Sequence, residues 1–217
     1  MIKLVAFDFD DTLSLNEEAG FEIENYIAKQ LGFPPMTRKV HQEDWGLPIR
    51  QALPNRIPGV DPEAFMKLFE QTLSAFADEG KMDIIAPKNI KTIKKLKGDG
   101  KRLAILTARS FHEAEHLLDE SHHINKFVEK IYHADSSRYM KPDPRVFDQV
   151  LEDFQVLPHE VVYVGDSLTD AIAAKEAGLH FIALLESGLR TREVFDSVQV
   201  DYFAQTFEDI LDYIKKY

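Results

Sequence analysis

The chain has 217 residues, 44% hydrophobic and 29% charged, which suits one domain with a large insertion or two small domains. Its 26 Lys and Arg face 37 Asp and Glu, a net charge of −11 that disfavours general binding to nucleic acid or to an anionic membrane. The sequence has no Cys, which excludes disulfides and thiolate chemistry and fits a cytoplasmic protein. No apolar run approaches the roughly 20 residues of a membrane span. The first apolar run meets Asp8 too early for the core of a secretory leader, so none is expected.

Taken in order, Lys3-Leu4-Val5-Ala6-Phe7 reads as a strand buried on both faces, ending in Asp8-Phe9-Asp10-Asp11-Thr12. Asp8 and Asp10 are two apart, so an extended backbone points both carboxylates the same way. A fold tolerates such a pair when a cation lies between the charges or one carboxyl keeps its proton. A polar turn after the strand is the plainer alternative. Ser14 and Glu17 have capping-box spacing, Ala19, Ile23, Ile27 and Leu31 recur every fourth residue, and Gly32 can end that helix. Residues 33–60 carry Pro34, Pro35, Pro48, Pro54 and Pro58 and predict irregular chain with short helices. Asp61-Pro62 opens a helix with Phe65, Leu68, Phe69, Leu73 and Phe76 on one face, and Gly80 closes it. Residues 15–82 are therefore expected to be a helical unit with its own apolar faces.

From there strands and helices alternate. A helix over about Pro87 to Lys97 stops at Gly98-Asp99-Gly100, and Arg102 to Leu106 is a short buried strand ending at Thr107. Ser110 and Glu113 form a second capping box, opening a helix through Leu118. A weaker strand at 130–134 and a helix from Asp143-Pro144 to Phe154 follow. Val161 to Val164 is a strong strand running into Gly165-Asp166-Ser167, with a helix to Gly178 after it. A strand at 180–185, an edge strand near Tyr202 and a last helix with Ile210, Leu211 and Ile214 complete the chain. This alternation predicts right-handed crossovers and a mostly parallel sheet, with residues 1–14 and 83–217 as the core. An insertion after the first strand is expected over the carboxyl ends of the strands.

Ligands of open parallel sheets bind at those carboxyl ends. Three strong strands end there in Asp8, Thr107 and Gly165-Asp166, and helix N-termini nearby offer N–H groups to an anion. Carboxylates beside anion donors point to a Mg²⁺-phosphate site. Four pieces in order then resemble the haloacid dehalogenase superfamily. They are Asp8-Phe9-Asp10-Asp11-Thr12, Leu106-Thr107, Lys141 in Lys141-Pro142-Asp143-Pro144, and Gly165-Asp166-Ser167-Leu168-Thr169-Asp170. The resemblance spans nearly the whole chain and is closest to the branch with a helical cap after the first motif, which holds phosphoglycolate phosphatase-like and phosphoglucomutase-like members. It departs at Asp11, usually Gly in that branch, and at Leu15, often Asp.

The resemblance implies an α/β fold: a Rossmann-like parallel core with helices on both faces and an inserted α-helical cap. It implies a Mg²⁺-dependent phosphatase acting on a small phosphorylated metabolite through an aspartyl phosphate. Asp8 would be the nucleophile and Asp10 the acid and base. Thr107 and the Ala108 amide would hold the phosphoryl oxygens, and Lys141 would neutralise their charge. Mg²⁺ would sit on Asp8, the Asp10 carbonyl and Asp166, with Asp170 and Thr12 behind them. Read alone, Thr107 is an ordinary turn residue, Lys141 a surface-type base, and Asp166, Ser167 and Asp170 are helix-capping residues. Asp10 argues against dehalogenation, which needs no acid for an oxygen leaving group. A sugar phosphomutase and a non-catalytic phosphate-binding protein are the alternatives. His112-Glu113-Ala114-Glu115-His116 matches the zinc-protease pattern, but Glu115 is charged and Glu113 belongs to the capping box, so an exposed helix face is the expectation. Trp45, Arg50 and Arg56 are candidates for selecting the substrate.

Overall fold

The structure, a computed structural model, describes residues 1–120 and 122–217, which form two compact units. One is Ser14–Ile84; the other joins Met1–Leu13 to Ile85–Tyr217.

Ser14–Ile84 contains four helices, α1 (Glu17–Gln30), α2 (Arg38–Glu43), α3 (Ile49–Arg56) and α4 (Pro62–Asp78). Ile23 and Ile27 of α1 bury against Leu53 of α3 and Phe65, Phe69 and Leu73 of α4, as the four-residue periodicity requires. Asp61 caps α4 by accepting from the Glu63 amide, with Pro62 at the first helical position. The capping box expected at Ser14 does not form. Asn16 is the residue before α1, and its side chain makes no cap bond. Ser14 Oγ instead lies 3.0 Å from Asn16 Oδ1 and 3.1 Å from the Ile84 carbonyl. Asn16 Nδ2 donates to Asp83 Oδ1 at 2.8 Å, and the Asp83 amide donates back to Asn16 Oδ1 at 3.0 Å. These side chains tie the two ends of the unit together, and Ser14, Asn16 and Asp83 are all buried, so a long-range partner outcompetes the local cap.

Glu17, released from the box, turns into a buried ionic network. It accepts from Arg38 Nη2 at 2.5 Å and meets His41 Nδ1 at 3.0 Å. Arg56 donates to Glu24 at 2.5 Å, to Asp44 at 2.6 Å and to the His41 carbonyl at 3.2 Å. Trp45 packs on the His41 ring, 4.8 Å between centroids, and closes on Gly20 so tightly that a Cβ there would lie 2.6 Å from the indole. Arg56 therefore has its charged head spent inside the unit, and Arg50 pairs with Glu63 at the surface.

The larger unit is built on six strands, β1 (Leu4–Phe7), β2 (Arg102–Leu106), β3 (Lys130–Tyr132), β4 (Val161–Gly165), β5 (His180–Leu184) and β6 (Tyr202–Ala204). All pair in parallel in the order β3-β2-β1-β4-β5-β6. The central strands are fully buried, and alternate residues face opposite layers. Val5, Phe7, Ile105 and Val164 pack with α5 (Pro87–Gly98), α6 (Phe111–Leu118) and α9 (Ile210–Ile214). Leu4, Ala6, Leu106 and Tyr163 pack with α7 (Asp148–Phe154) and α8 (Leu168–Glu176). Helices thus cover both faces, as the resemblance implied, and the sheet is parallel, as the alternating pattern predicted.

From β1 the chain builds outward to β2 and β3, then returns to lay β4 on the other side of β1 and continues to β5 and β6. The order reverses between β1 and β4, and such a reversal opens a crevice at the carboxyl ends of the two strands. Phe7 pairs with Val164, and the Asp8 amide donates to the Val164 carbonyl at 2.8 Å. Asp8 and Asp166 therefore leave the sheet side by side.

Candidate active site

The crevice gathers three carboxylates, Asp8, Asp166 and Asp170, whose nearest oxygens all lie within 4.8 Å of one another and which are all buried. Lys141 reaches in from the loop before α7, with its Nζ 3.1 Å from Asp8 Oδ1 and 2.6 Å from Asp170 Oδ1. Its side chain is only 6% exposed, so it is no surface base. Tyr163 of β4 braces the group from below. Its hydroxyl lies 2.9 Å from the Leu106 carbonyl, 3.0 Å from Lys141 Nζ and 3.3 Å from Asp170 Oδ1. The Phe9 amide donates to Asp8 Oδ1 at 2.8 Å, which fixes the Asp8 carboxylate against its own backbone.

Asp170 has two tasks. Its Oδ2 accepts from the Ser167 amide at 3.1 Å and from Ser167 Oγ at 2.6 Å, while Ser167 Oγ accepts from the Asp170 amide, a capping box that starts α8. Its Oδ1 takes Lys141. One oxygen thus closes the cap expected from the sequence, while the other pairs with Lys141. This knot explains Gly165: a Cβ there would lie 2.6 Å from Asp170 Oδ2.

Electrostatics follow from three buried acids around one ammonium. Burial pushes the Asp8 carboxyl up, Lys141 pulls it back, and Asp170 and Asp10 add repulsion, leaving it raised from 3.8 to about 7. Burial also lifts Asp166 well above its ordinary value, helped by Asp170, Asp11 and Asp8 and opposed by Arg190. For Lys141, burial works against the charge, but Asp170 and Asp8 outweigh it and hold the ammonium above its ordinary range. Lys141 touches two of the three carboxylates, so the acids outnumber the cation, and that excess shows as a raised proton affinity at Asp8 and Asp166. A divalent cation that takes oxygen ligands fits that excess, with Asp8 and Asp166 as carboxylate ligands. Asp170 is less suited, since both of its oxygens already accept hydrogen bonds.

Thr107 leaves β2 beside β1, where its amide donates to the Tyr132 carbonyl and its Oγ1 accepts from the Arg109 amide at 3.2 Å. Thr12 is buried, and its Oγ1 has no hydrogen-bond partner among the described residues. Asp10 is not one of the three grouped carboxylates, though its charge is felt at Asp8. Its two oxygens accept from Arg109, Nε to Oδ2 at 2.9 Å and Nη2 to Oδ1 at 2.7 Å. Arg109 and Tyr163 are the neighbours that the sequence reading missed. The signal for Arg109 was its place two residues after Thr107 at a strand end; Tyr163 was hidden inside an apolar strand.

Asp11 accounts for its departure from the family pattern. It has φ 52°, in the left-handed region where Gly is at ease and Asp is among the better-tolerated alternatives. Leu15 is exposed. In the zinc-protease-like stretch, Ser110 caps α6 and the Ser110 amide donates to Glu113 Oε2 at 2.7 Å, so Glu113 serves the helix start.

A parallel sheet with its reversal at β1 and β4, and acids and a lysine at that point, defines a hydrolase of the dehalogenase type. The chain belongs to the haloacid dehalogenase-like hydrolase family, whose profile matches residues 5–184. It is 28% identical to a phosphoglycolate phosphatase of Vibrio vulnificus over 98% of this chain and 96% of that protein. It is 30% identical to phosphoglycolate phosphatase 1 of Pseudomonas aeruginosa over 84% of this chain and 69% of that protein. Among solved structures, CbbY from Rhodobacter sphaeroides in complex with phosphate superposes with a TM-score of 0.79 at 25% identity, covering 97% of this chain and 96% of that one. No helix among the described residues is long and apolar enough to cross a membrane.

Proposed function

We propose that the protein is a Mg²⁺-dependent phosphatase of the cytoplasm, hydrolysing the monoester of a small phosphorylated metabolite through an aspartyl phosphate on Asp8. The observation that carries this reading is the buried group of Asp8, Asp166 and Asp170 around Lys141 at the sheet reversal. Asp8 and Asp166, with the Asp10 carbonyl, would hold Mg²⁺. When bound, the cation neutralises the acids and draws charge from the phosphoryl oxygens.

The chain's own groups do the rest. A carboxylate oxygen of Asp8 attacks phosphorus, and the P–O bond to the leaving group breaks. Asp10 gives the departing oxygen a proton, then takes one from the water that hydrolyses the acyl phosphate. Lys141, kept charged by Asp8 and Asp170, faces the negative charge of the transferring group. The Thr107 hydroxyl and the Ala108 amide hold the phosphoryl oxygens, and Thr12 stands behind them. Ser14–Ile84 is the proposed cap that selects the substrate, and the named relatives make 2-phosphoglycolate the first candidate.

The test is phosphate release by the intact protein from a panel headed by 2-phosphoglycolate and sugar phosphates, with Mg²⁺ and with a chelator. Mg²⁺-dependent release, abolished in Asp8→Asn, is expected. No release from any member, or movement of phosphate between sugar positions without release, would overturn the assignment.

A further inference from the structure

We infer that Arg109 is a positioning residue for Asp10 in the reaction proposed above, on which this role rests: its guanidinium fork holds the Asp10 carboxylate in the orientation needed to hand over and recover a proton. The two bonds, 2.9 Å from Nε and 2.7 Å from Nη2, run to different oxygens, so the plane of the carboxylate is fixed. A carboxylate offers about four lone-pair directions, and the fork takes one on each oxygen.

Arg109 is itself immobilised. Its side chain is 9% exposed, its guanidinium lies 4.9 Å over the Phe9 ring, and Nη1 donates to the Glu113 carbonyl at 3.3 Å. Its backbone amide donates to Thr107 Oγ1, so the Arg109 backbone is tied to the Thr107 hydroxyl. Asp10 needs such a brace. It stands in the turn beyond β1, next to the left-handed residue Asp11, and its side chain is 24% exposed, more open than that of Asp8. Without a partner on both oxygens it would sample several rotamers. An ammonium at this place would supply charge but not the fork, because Lys donates from a single point.

The test compares Arg109→Lys, Arg109→Met, Asp10→Asn and the Asp10→Asn/Arg109→Lys double variant. The substrates are p-nitrophenyl phosphate, whose leaving group needs little protonation, and glycerol phosphate, whose leaving group needs it. General-acid catalysis contributes roughly 10²–10⁴-fold, and loss of orientation should forfeit about tenfold of it. Arg109→Lys, which keeps the charge and so the fold, should lose about tenfold in kcat on glycerol phosphate and far less on the aryl ester, with KM little changed. The double variant should be no slower on glycerol phosphate than Asp10→Asn alone. Equal losses on both substrates, or losses in the double variant that multiply, would overturn the positioning role and leave Arg109 a structural residue. The reading beneath it fails separately: if Asp10→Asn itself shows no leaving-group preference, Asp10 is not the acid.

Discussion

Asp8 concentrates the tension of this fold. It is held by the Phe9 amide and Lys141, yet burial and neighbouring acids still raise its proton affinity. Replacing it with Asn should lower phosphate release by at least about a thousandfold, since no acyl phosphate can form. The same change should raise the melting temperature of the metal-free protein, by removing a charge from a crowded group. A fall in melting temperature measured by differential scanning fluorimetry would contradict that crowding. Asp11 carries a second residue-scale expectation. At φ 52° a β-branched side chain is strained, so Asp11→Val should destabilise by about 1–3 kcal/mol while Asp11→Gly folds normally. Equal denaturation midpoints for the two variants would contradict it. That Asp8, Lys141 and Asp166 meet in one place was legible because each ends a strand or sits in a motif of fixed order. Arg109 was not, because its value depends on β1 lying beside β2, an adjacency that no local pattern encodes.

Among the elements, α8 shows how tightly the site is built into secondary structure. Its first turn is closed by Asp170, and the same side chain anchors Lys141. Gly165→Ala would force a methyl group against an Asp170 pinned on both oxygens and should cost about 1–3 kcal/mol, read by urea denaturation. In the helical unit, Arg56 joins Glu24 and Asp44 from the interior. Arg56→Met should destabilise by about 3–5 kcal/mol, because it leaves buried carboxylates without their cation. A loss below 1 kcal/mol would mean that the network relaxes or admits water. Most helices and strands were readable from periodicity and turn residues, as at α4 and β4. The start of α1 was not. Ser14 and Glu17 have the spacing of a box, but Asp83 and Ile84, distant in sequence, compete for the same polar atoms and win.

For the whole molecule, the buried acids tie stability to pH. In the unfolded chain Asp8 has its ordinary value of 3.8, and in the folded protein it titrates near 7. Between those values the folded state holds more protons than the unfolded state, so stability falls as pH rises through that window. Asp166, also raised, acts in the same direction. Thermal melts of the chelator-treated protein should therefore show this group destabilising from about pH 4 to about pH 7, and Asp8→Asn should flatten the profile. Added Mg²⁺ should restore most of the loss at the upper end, because a cation replaces the protons. A slope unchanged by Asp8→Asn would place the titration elsewhere.

The reversal of strand order also has a consequence in time. Asp8 is made before its neighbour Asp166, which arrives only with β4, after the helical unit, β2 and β3 have emerged. Pairing β1 with β4 closes a very long loop, an event expected late in folding. The acids then come together only in the last steps, when most of the sheet can already bear their repulsion. Mg²⁺ should thus slow unfolding while leaving the refolding rate nearly unchanged, a division that stopped-flow measurements with and without the cation will read directly.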